Sequence, residues 1–164
     1  MRDGRRTVGI FGHEETAARR IIIVGAGNIG LHVAQELETS HPGTRVKLIE
    51  RDREKAVQAA DKLKRSIVLH GDGLDPELLQ EAGIAETETL VTLTNNDQAN
   101  ILSCVVAKRE GCQRTMALIN NNTYAPLMRS LGIDAFINPR GATVSTVLQH
   151  VRRGRIRGLQ SVRD

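Results

Sequence analysis

The chain has 164 residues, 40% of them apolar and 2% aromatic, which is enough for one domain with a proper core but forces that core to be aliphatic and leaves no aromatic platform for stacked bases. Its formal charge of +4 and pI near 9.5 come from the ends: residues 1–20 carry +2 and residues 150–164 carry +4, so the body is −2, which excludes a basic face tracking nucleic-acid phosphates. No apolar run has the length of a membrane-spanning helix, and the arginine-rich start lacks the apolar centre of a secretory signal.

The first predicted strand, near 21–25, reads Ile21-Ile22-Ile23-Val24 and runs straight into Gly25-x-Gly27-x-x-Gly30. A strand, this glycine spacing and then a helix, from about Asn28 to Thr39, form a phosphate cradle. Gly25 makes the tight turn, Gly27 admits a pyrophosphate close to the backbone, and Gly30 lets the helix lie against the strand. The helix aims its unpaired amides and positive dipole end at the phosphates. The plain alternative is a turn kept only for helix packing. A second strand, 46–50, ends in Glu50, twenty positions after Gly30, where an acid meets an adenosine ribose diol.

A helix is predicted over Asp52 to Leu63 and a strand over 66–70, followed by the polar turn His70-Gly71-Asp72-Gly73. Asp72 either accepts from an adenine amino group or anchors its own turn through an Asx bond. Asp75-Pro76 opens a short third helix, with aspartate as cap and proline in the first position. A fourth strand, 89–94, leads into Thr94-Asn95-Asn96-Asp97. Thr94 and Asn95 are placed to approach the ribose or second phosphate, while helix capping explains Asn96 and Asp97 equally well. The fourth helix, Asp97 to Glu110, carries Cys104, with Cys112 just beyond. The two have neither zinc nor disulfide-framework spacing, so a reduced cytoplasmic compartment is expected. A strand at 115–119, a helix at Thr123 to Leu131, a strand at 135–138 and a helix at about Thr143 to Val151 complete the pattern. Gly83, Gly111 and Gly132 stand where three helices should stop.

Alternating strands and helices of this kind predict an α/β fold, a Rossmann-like doubly wound parallel sheet of about six strands in the order 3-2-1-4-5-6 with helices on both faces. The ligand crevice then lies beside the first and fourth strands. Val144, Val147, Leu148 and Val151 form an apolar stripe on the last helix, followed by Arg152, Arg153, Arg155 and Arg157; either this domain's own sheet or a second copy has to cover the stripe. The five histidines form no cluster with metal-ligand spacing, so no metal site is expected. His70, beside Asp72 at a strand end, reads as a polar strand terminus. Hydride transfer needs a substrate domain beside the cofactor domain, and one such unit fills this sequence, so no catalytic residues are expected and the chain is not read as an enzyme. Two alternatives stay open: the cofactor-binding half of an NAD-dependent dehydrogenase, and a scaffold with a degenerate cradle that binds nothing.

The glycine turn, Leu48-Ile49-Glu50-Arg51-Asp52, His70-Gly71-Asp72-Gly73, Asp97-Gln98-Ala99-Asn100 and Ile137-Asn138-Pro139-Arg140 before the last helix together resemble the RCK (KTN, or TrkA-N) domains. The resemblance covers about residues 20–156. It implies a cytoplasmic nucleotide-sensing domain of a bacterial potassium uptake system, peripheral to the inner face of the plasma membrane, paired with a second lobe through its last helix and acting on a membrane potassium transporter subunit. It also implies that residues 1–19 are linker from an upstream segment, and that 157–164 is a tail leading to a C-terminal lobe. Carried over by residue, the phosphates fall on Gly25, Ala26, Gly27, Asn28 and Ile29, the ribose on Glu50, and the adenine edge on Arg51 and Asp72. ATP-responsive members often have arginine where Asn28 stands, so NAD or NADH is expected before ATP or ADP. Glu50 disfavours the 2′-phosphate of NADP, with Arg51 and Arg53 pulling the other way. Asn95-Asn96 replaces a turn that is often acidic in the family.

Overall fold

The computed structural model describes residues 19–141, 145–149 and 151. The expected linker over 1–19, apart from residue 19 itself, and the tail over 157–164 lie outside the described residues. Six strands, β1 (Arg20–Val24), β2 (Arg45–Glu50), β3 (Ile67–His70), β4 (Thr89–Thr92), β5 (Arg114–Leu118) and β6 (Ala135–Ile137), pair in parallel in the order β3-β2-β1-β4-β5-β6. Successive strand side chains point to opposite faces, so each short apolar strand feeds both sides of the sheet. Ile21, Ile23 and Leu48 join Val33 and Leu37 on one face; Ile22, Val24 and Ile49 join Leu79, Ile101 and Cys104 on the other. The doubly wound expectation is met in both order and layering.

The helices begin where their caps stand. The α2 helix (Arg53–Lys62) is capped by Asp52, whose Oδ1 accepts from Lys55 N at 3.2 Å. The α3 helix (Pro76–Glu81) is capped by Asp75 with proline in its first turn, and α4 (Asp97–Arg109) by Asn96, whose Oδ1 accepts from Ala99 N at 2.9 Å. The α5 helix (Ala125–Ser130) starts later than expected. Asn121 accepts from Thr123 N at 2.9 Å and tightens Asn122–Tyr124 into a 3-10 turn first. Gly83, Gly111 and Gly132 all take the left-handed conformation at the expected stops. By contrast α1 (Asn28–Ser40) has Gly27 at its cap, no capping side chain and no acid in its first turn.

Residues 145–149 and 151 are helical, and Val147, Leu148 and Val151 are 0%, 8% and 2% exposed within the same cluster as Ile21, Val33 and Leu37. The chain's own sheet therefore covers this part of the apolar stripe, and each such side chain contributes roughly 1.5–3 kcal/mol. Val144 and Arg152 onward lie outside the described residues.

Near its end α1 is tied to the β3 side of the sheet by one carboxylate. Glu38 accepts from the amides of Lys64, Arg65 and Ser66 at 2.6 to 3.1 Å and from Ser66 Oγ at 2.8 Å. Desolvation raises its pKa, but these hydrogen bonds outweigh that and hold it at about 2, below the ordinary 4.5. A group depressed in the folded state stabilises fully above its unfolded value and loses that contribution as pH falls toward the folded one. Glu38→Gln is therefore expected to be less stable than wild type in urea at pH 6, with the gap narrowing steadily between pH 5 and pH 3.

Gly30 is a second sensitive point, for a steric reason. A Cβ there would stand 1.9 Å from the carbonyl oxygen of Gly25. Gly30→Ala has to push helix from strand and is expected to cost about 3 kcal/mol or more in urea unfolding.

Candidate functional site

Ladder hydrogen bonds continue past the strand ends and set four turns abreast. Gly25 N donates to Ile49 O at 2.8 Å, Gly71 N to Glu50 O at 2.9 Å, and Leu93 N to Val24 O at 2.8 Å. The turns enclose a cleft of about 840 Å³ at the carboxyl ends of the strands, where β1 and β4 diverge into opposite directions of winding. Gly25, Gly27, Asn28 and Ile29 line it from the first turn, Glu50 and Arg51 from the second, Gly71, Asp72 and Gly73 from the third, and Thr94 and Asn95 from the fourth. Ala26 and Gly30 do not line it. Ala26 is buried and turns its amide toward Glu50, while Gly30 packs beneath Gly25.

The cradle is shaped by missing carbons. Gly25 has φ +110, and a Cβ on it would meet Thr94 Cγ2 and Thr94 N at 3.0 Å. Gly27 differs: its missing Cβ faces nothing within 4 Å, so the first turn of α1 opens directly onto the cleft. An uncapped helix start, free of acids and bare of side chain at that glycine, has the form of an anion cradle.

Glu50 is buried and both its oxygens are engaged. Oε1 accepts from Ala26 N and Oε2 from Asp52 N, each at 2.7 Å. Two backbone donors leave lone pairs to spare on the carboxylate, which is the acceptor a ribose diol requires. Asp72 anchors its own turn, with Oδ1 accepting from Leu74 N at 2.9 Å in an Asx turn, and among the described residues Oδ2 has no partner.

Thr94 lines the cleft, yet its hydroxyl donates inward. Oγ1 lies 2.5 Å from Asn100 Oδ1 and accepts from Asn96 N at 3.2 Å. Asn100, fully buried, donates to Thr94 O at 3.0 Å and Leu118 O at 2.7 Å, and accepts from Thr94 N at 3.2 Å. β4 therefore ends at Thr92, two residues before the expected boundary, because the backbone of Thr94 pairs with a side chain instead of a strand. Asp97 braces the neighbouring turn. It accepts from Asn120 N and Asn121 N at 2.8 Å and from Asn120 Nδ2 at 2.9 Å; desolvation raises its pKa, and these bonds prevail and lower it.

Sequence reasoning missed several wall residues, among them Lys55, Leu74, Ala99, Ser103 and Asn120. Ala99 and Ser103 stand one turn apart on α4, a spacing that marks a shared helix face but not what that face meets. His70 Nε2 lies 3.2 Å from Arg51 O and ties the second and third turns together. Burial pushes the Cys104 thiol up to about 12 and raises that of Cys112, so neither is an activated nucleophile. Among the described residues no His, Cys, Asp and Glu group is arranged to hold a metal ion, and no helix is long and apolar enough to cross a membrane. A second cleft of about 580 Å³ lies at the opposite strand ends, among Arg20, Arg45, Lys47 and Arg65. Ligands of open parallel sheets sit at the carboxyl ends instead, and only the first cleft has the uncapped helix start.

This geometry has counterparts. The chain is 57% identical over 159 residues to the Trk system potassium uptake protein TrkA of Azorhizobium caulinodans and 40% identical over 162 residues to the protein of that name from Halomonas elongata, alignments that take in 97% and 99% of this chain. It spans 35% of the length of each. Among solved structures, the TrkA-N domain of the inner membrane protein ybaL from Escherichia coli superposes with a TM-score of 0.66 at 16% identity, over 80% of this chain and 96% of that one. The GsuK channel bound to NAD superposes at 0.64 and 16% identity, over 73% of this chain and 21% of that one. At such identities the superpositions establish the fold. The TrkA-N domain signature itself matches residues 21–139, from the first isoleucine of β1 to the proline that precedes the last helix, and so the chain belongs to the TrkA-N domain family.

Proposed function

We propose that this chain is an NAD(H)-binding regulatory domain of a bacterial potassium uptake system, reading the nucleotide as a signal and not consuming it as a reagent. The observation that carries the reading is the pairing of the bare, uncapped start of α1 with the Glu50 carboxylate one strand away. The first suits a pyrophosphate and the second an adenosine ribose. Gly25, Gly27, Asn28 and Ile29 would hold the phosphates, with Gly30 and the Ala26–Glu50 bond keeping the loop in shape. Arg51, Gly71, Asp72 and Gly73 would border the base. Thr94 and Asn95 would close the far wall. When bound, the cofactor supplies redox identity, NAD against NADH, as the quantity sensed.

Asn28 adds no positive charge for a third phosphate, which favours NAD(H) over ATP, with ADP an adenosine-bearing competitor. The buried Glu50 opposes a 2′-phosphate. Regulation requires the nucleotide to bind one arrangement of paired lobes better than another, since equal affinity shifts neither. Self-association through the last helix then amounts to an exchange: the stripe of Val147, Leu148 and Val151 that covers this chain's own sheet would cover the same surface of a second copy. The relatives' names support a membrane potassium transporter subunit as the partner and the cytoplasmic face of the membrane as the place of action.

Calorimetric titration of the chain with NAD, NADH, ADP and ATP tests the reading. Binding of NADH at one hundred times its dissociation constant should add about 2.7 kcal/mol to stability. Glu50→Ala should weaken NADH and ADP together by about tenfold or more, since it removes a charged acceptor. Unchanged affinity would move the site elsewhere. Gly27→Ala separates binding from folding: its Cβ meets no protein atom, so unfolding should shift by no more than about 1 kcal/mol, while nucleotide binding is lost because that carbon fills the phosphate space.

A further inference from the structure

One polar group in the cleft has no structural employment. Ser103, on the inner face of α4, is 2% exposed, and its hydroxyl has no hydrogen-bond partner among the described residues. A helical serine ordinarily relieves itself on the carbonyl one turn back. Here the carbonyl of Ala99 does not accept from it. Its neighbours leave it in place and open to the cleft. A Cβ on Gly73 would stand 3.0 Å from Ser103 Oγ and 2.7 Å from Val24 Cγ1, so only glycine lets the third turn lie over this spot without covering the hydroxyl.

The position says which part of a ligand would meet it. Ser103 lies under the Gly71–Gly73 turn and one helical turn from Ala99, on the side of the cleft where Asp72 keeps an unpartnered oxygen. Gly27 and the start of α1, which suit phosphate, belong to the first turn, and Glu50, which suits ribose, to the second. The space beside Ser103 and Asp72 is therefore left for the purine. We propose that the Ser103 hydroxyl hydrogen-bonds the purine ring of an adenine nucleotide, as a second base-reading group on the same side of the cleft as Asp72. This rests on the nucleotide-binding reading above. A hydroxyl both donates and accepts, so it pairs with a ring nitrogen, whereas the Asp72 carboxylate accepts only and pairs with the exocyclic amine.

Ser103→Ala tests this in the full chain, titrated with ADP and with NADH and melted without ligand. Ser103→Cys, close in volume but a weak hydrogen-bonding group, serves as the second variant. The expected result is a loss of affinity of about three- to tenfold, equal for ADP and NADH because both carry the same adenosine half, with the unliganded melting temperature unchanged. Unchanged affinity in both variants overturns the proposal. So does a loss confined to NADH, which would put the contact on the nicotinamide side, or a drop in unliganded melting temperature, which would give the hydroxyl a structural or water-holding role. A wild-type chain that binds neither nucleotide overturns the nucleotide-binding reading itself, a result distinct from wild-type binding that Ser103→Ala leaves intact.

Discussion

Where the first helix leaves the first strand there is no room for one more carbon atom. The approach of Gly30 to the carbonyl of Gly25 fixes how α1 leaves β1. Everything at the carboxyl edge follows from it. Held that close, the helix points its first turn into the crevice between β1 and β4, and Gly27 falls where the crevice is open. In α2, α3 and α4 an opening amide is taken by Asp52, Asp75 or Asn96. At α1 those donors face the cleft instead.

Four turns set side by side would be poor walls if each moved alone. They are stitched by buried or half-buried side chains that spend their hydrogen bonds on neighbouring backbone. Glu50 joins the first turn to the second, Asn100 joins the end of β4 to the end of β5, and Asp97 reaches Asn120 and Asn121. Neutral bonds of this kind are each worth about 1 kcal/mol net, and those to a carboxylate about 1.5–3. Their greater effect is on shape: losing one leaves a desolvated backbone amide or carbonyl, so the turn has to move. The same bonds sort the polar residues of the cleft. Thr94 has committed its hydroxyl to Asn100, and Asp72 has committed one oxygen to its own turn, while Ser103 has committed nothing.

A great deal of this was legible from residue order. The apolar runs located all six strands, capping residues located two helix starts, and glycines located three stops, because each signal acts within a few residues of itself. The Gly25, Gly27, Gly30 pattern with Glu50 pointed to the carboxyl edge of the sheet, where the cleft lies, for the same reason. What stayed hidden is pairwise and distant. The late start of α5 depended on Asn121 preferring a 3-10 turn. The early end of β4 depended on Asn100, known beforehand only as part of a resemblance. Ala26 entered only through the resemblance, and the bond of its amide to a carboxylate twenty-four residues away is not written in any local pattern.

By itself, then, the order of residues determined the strand sequence, the winding direction and the chemical character of the first turn, since alternation, capping and the absence of a Cβ are properties of short stretches. Tertiary structure alone decided which polar side chains were used up in holding turns and which were left to face the cleft, and that the stripe of the last helix was covered by the chain's own sheet. The reason is geometric. A hydrogen bond is satisfied once, by whichever partner folding brings within about 3 Å, and no local pattern names that partner in advance.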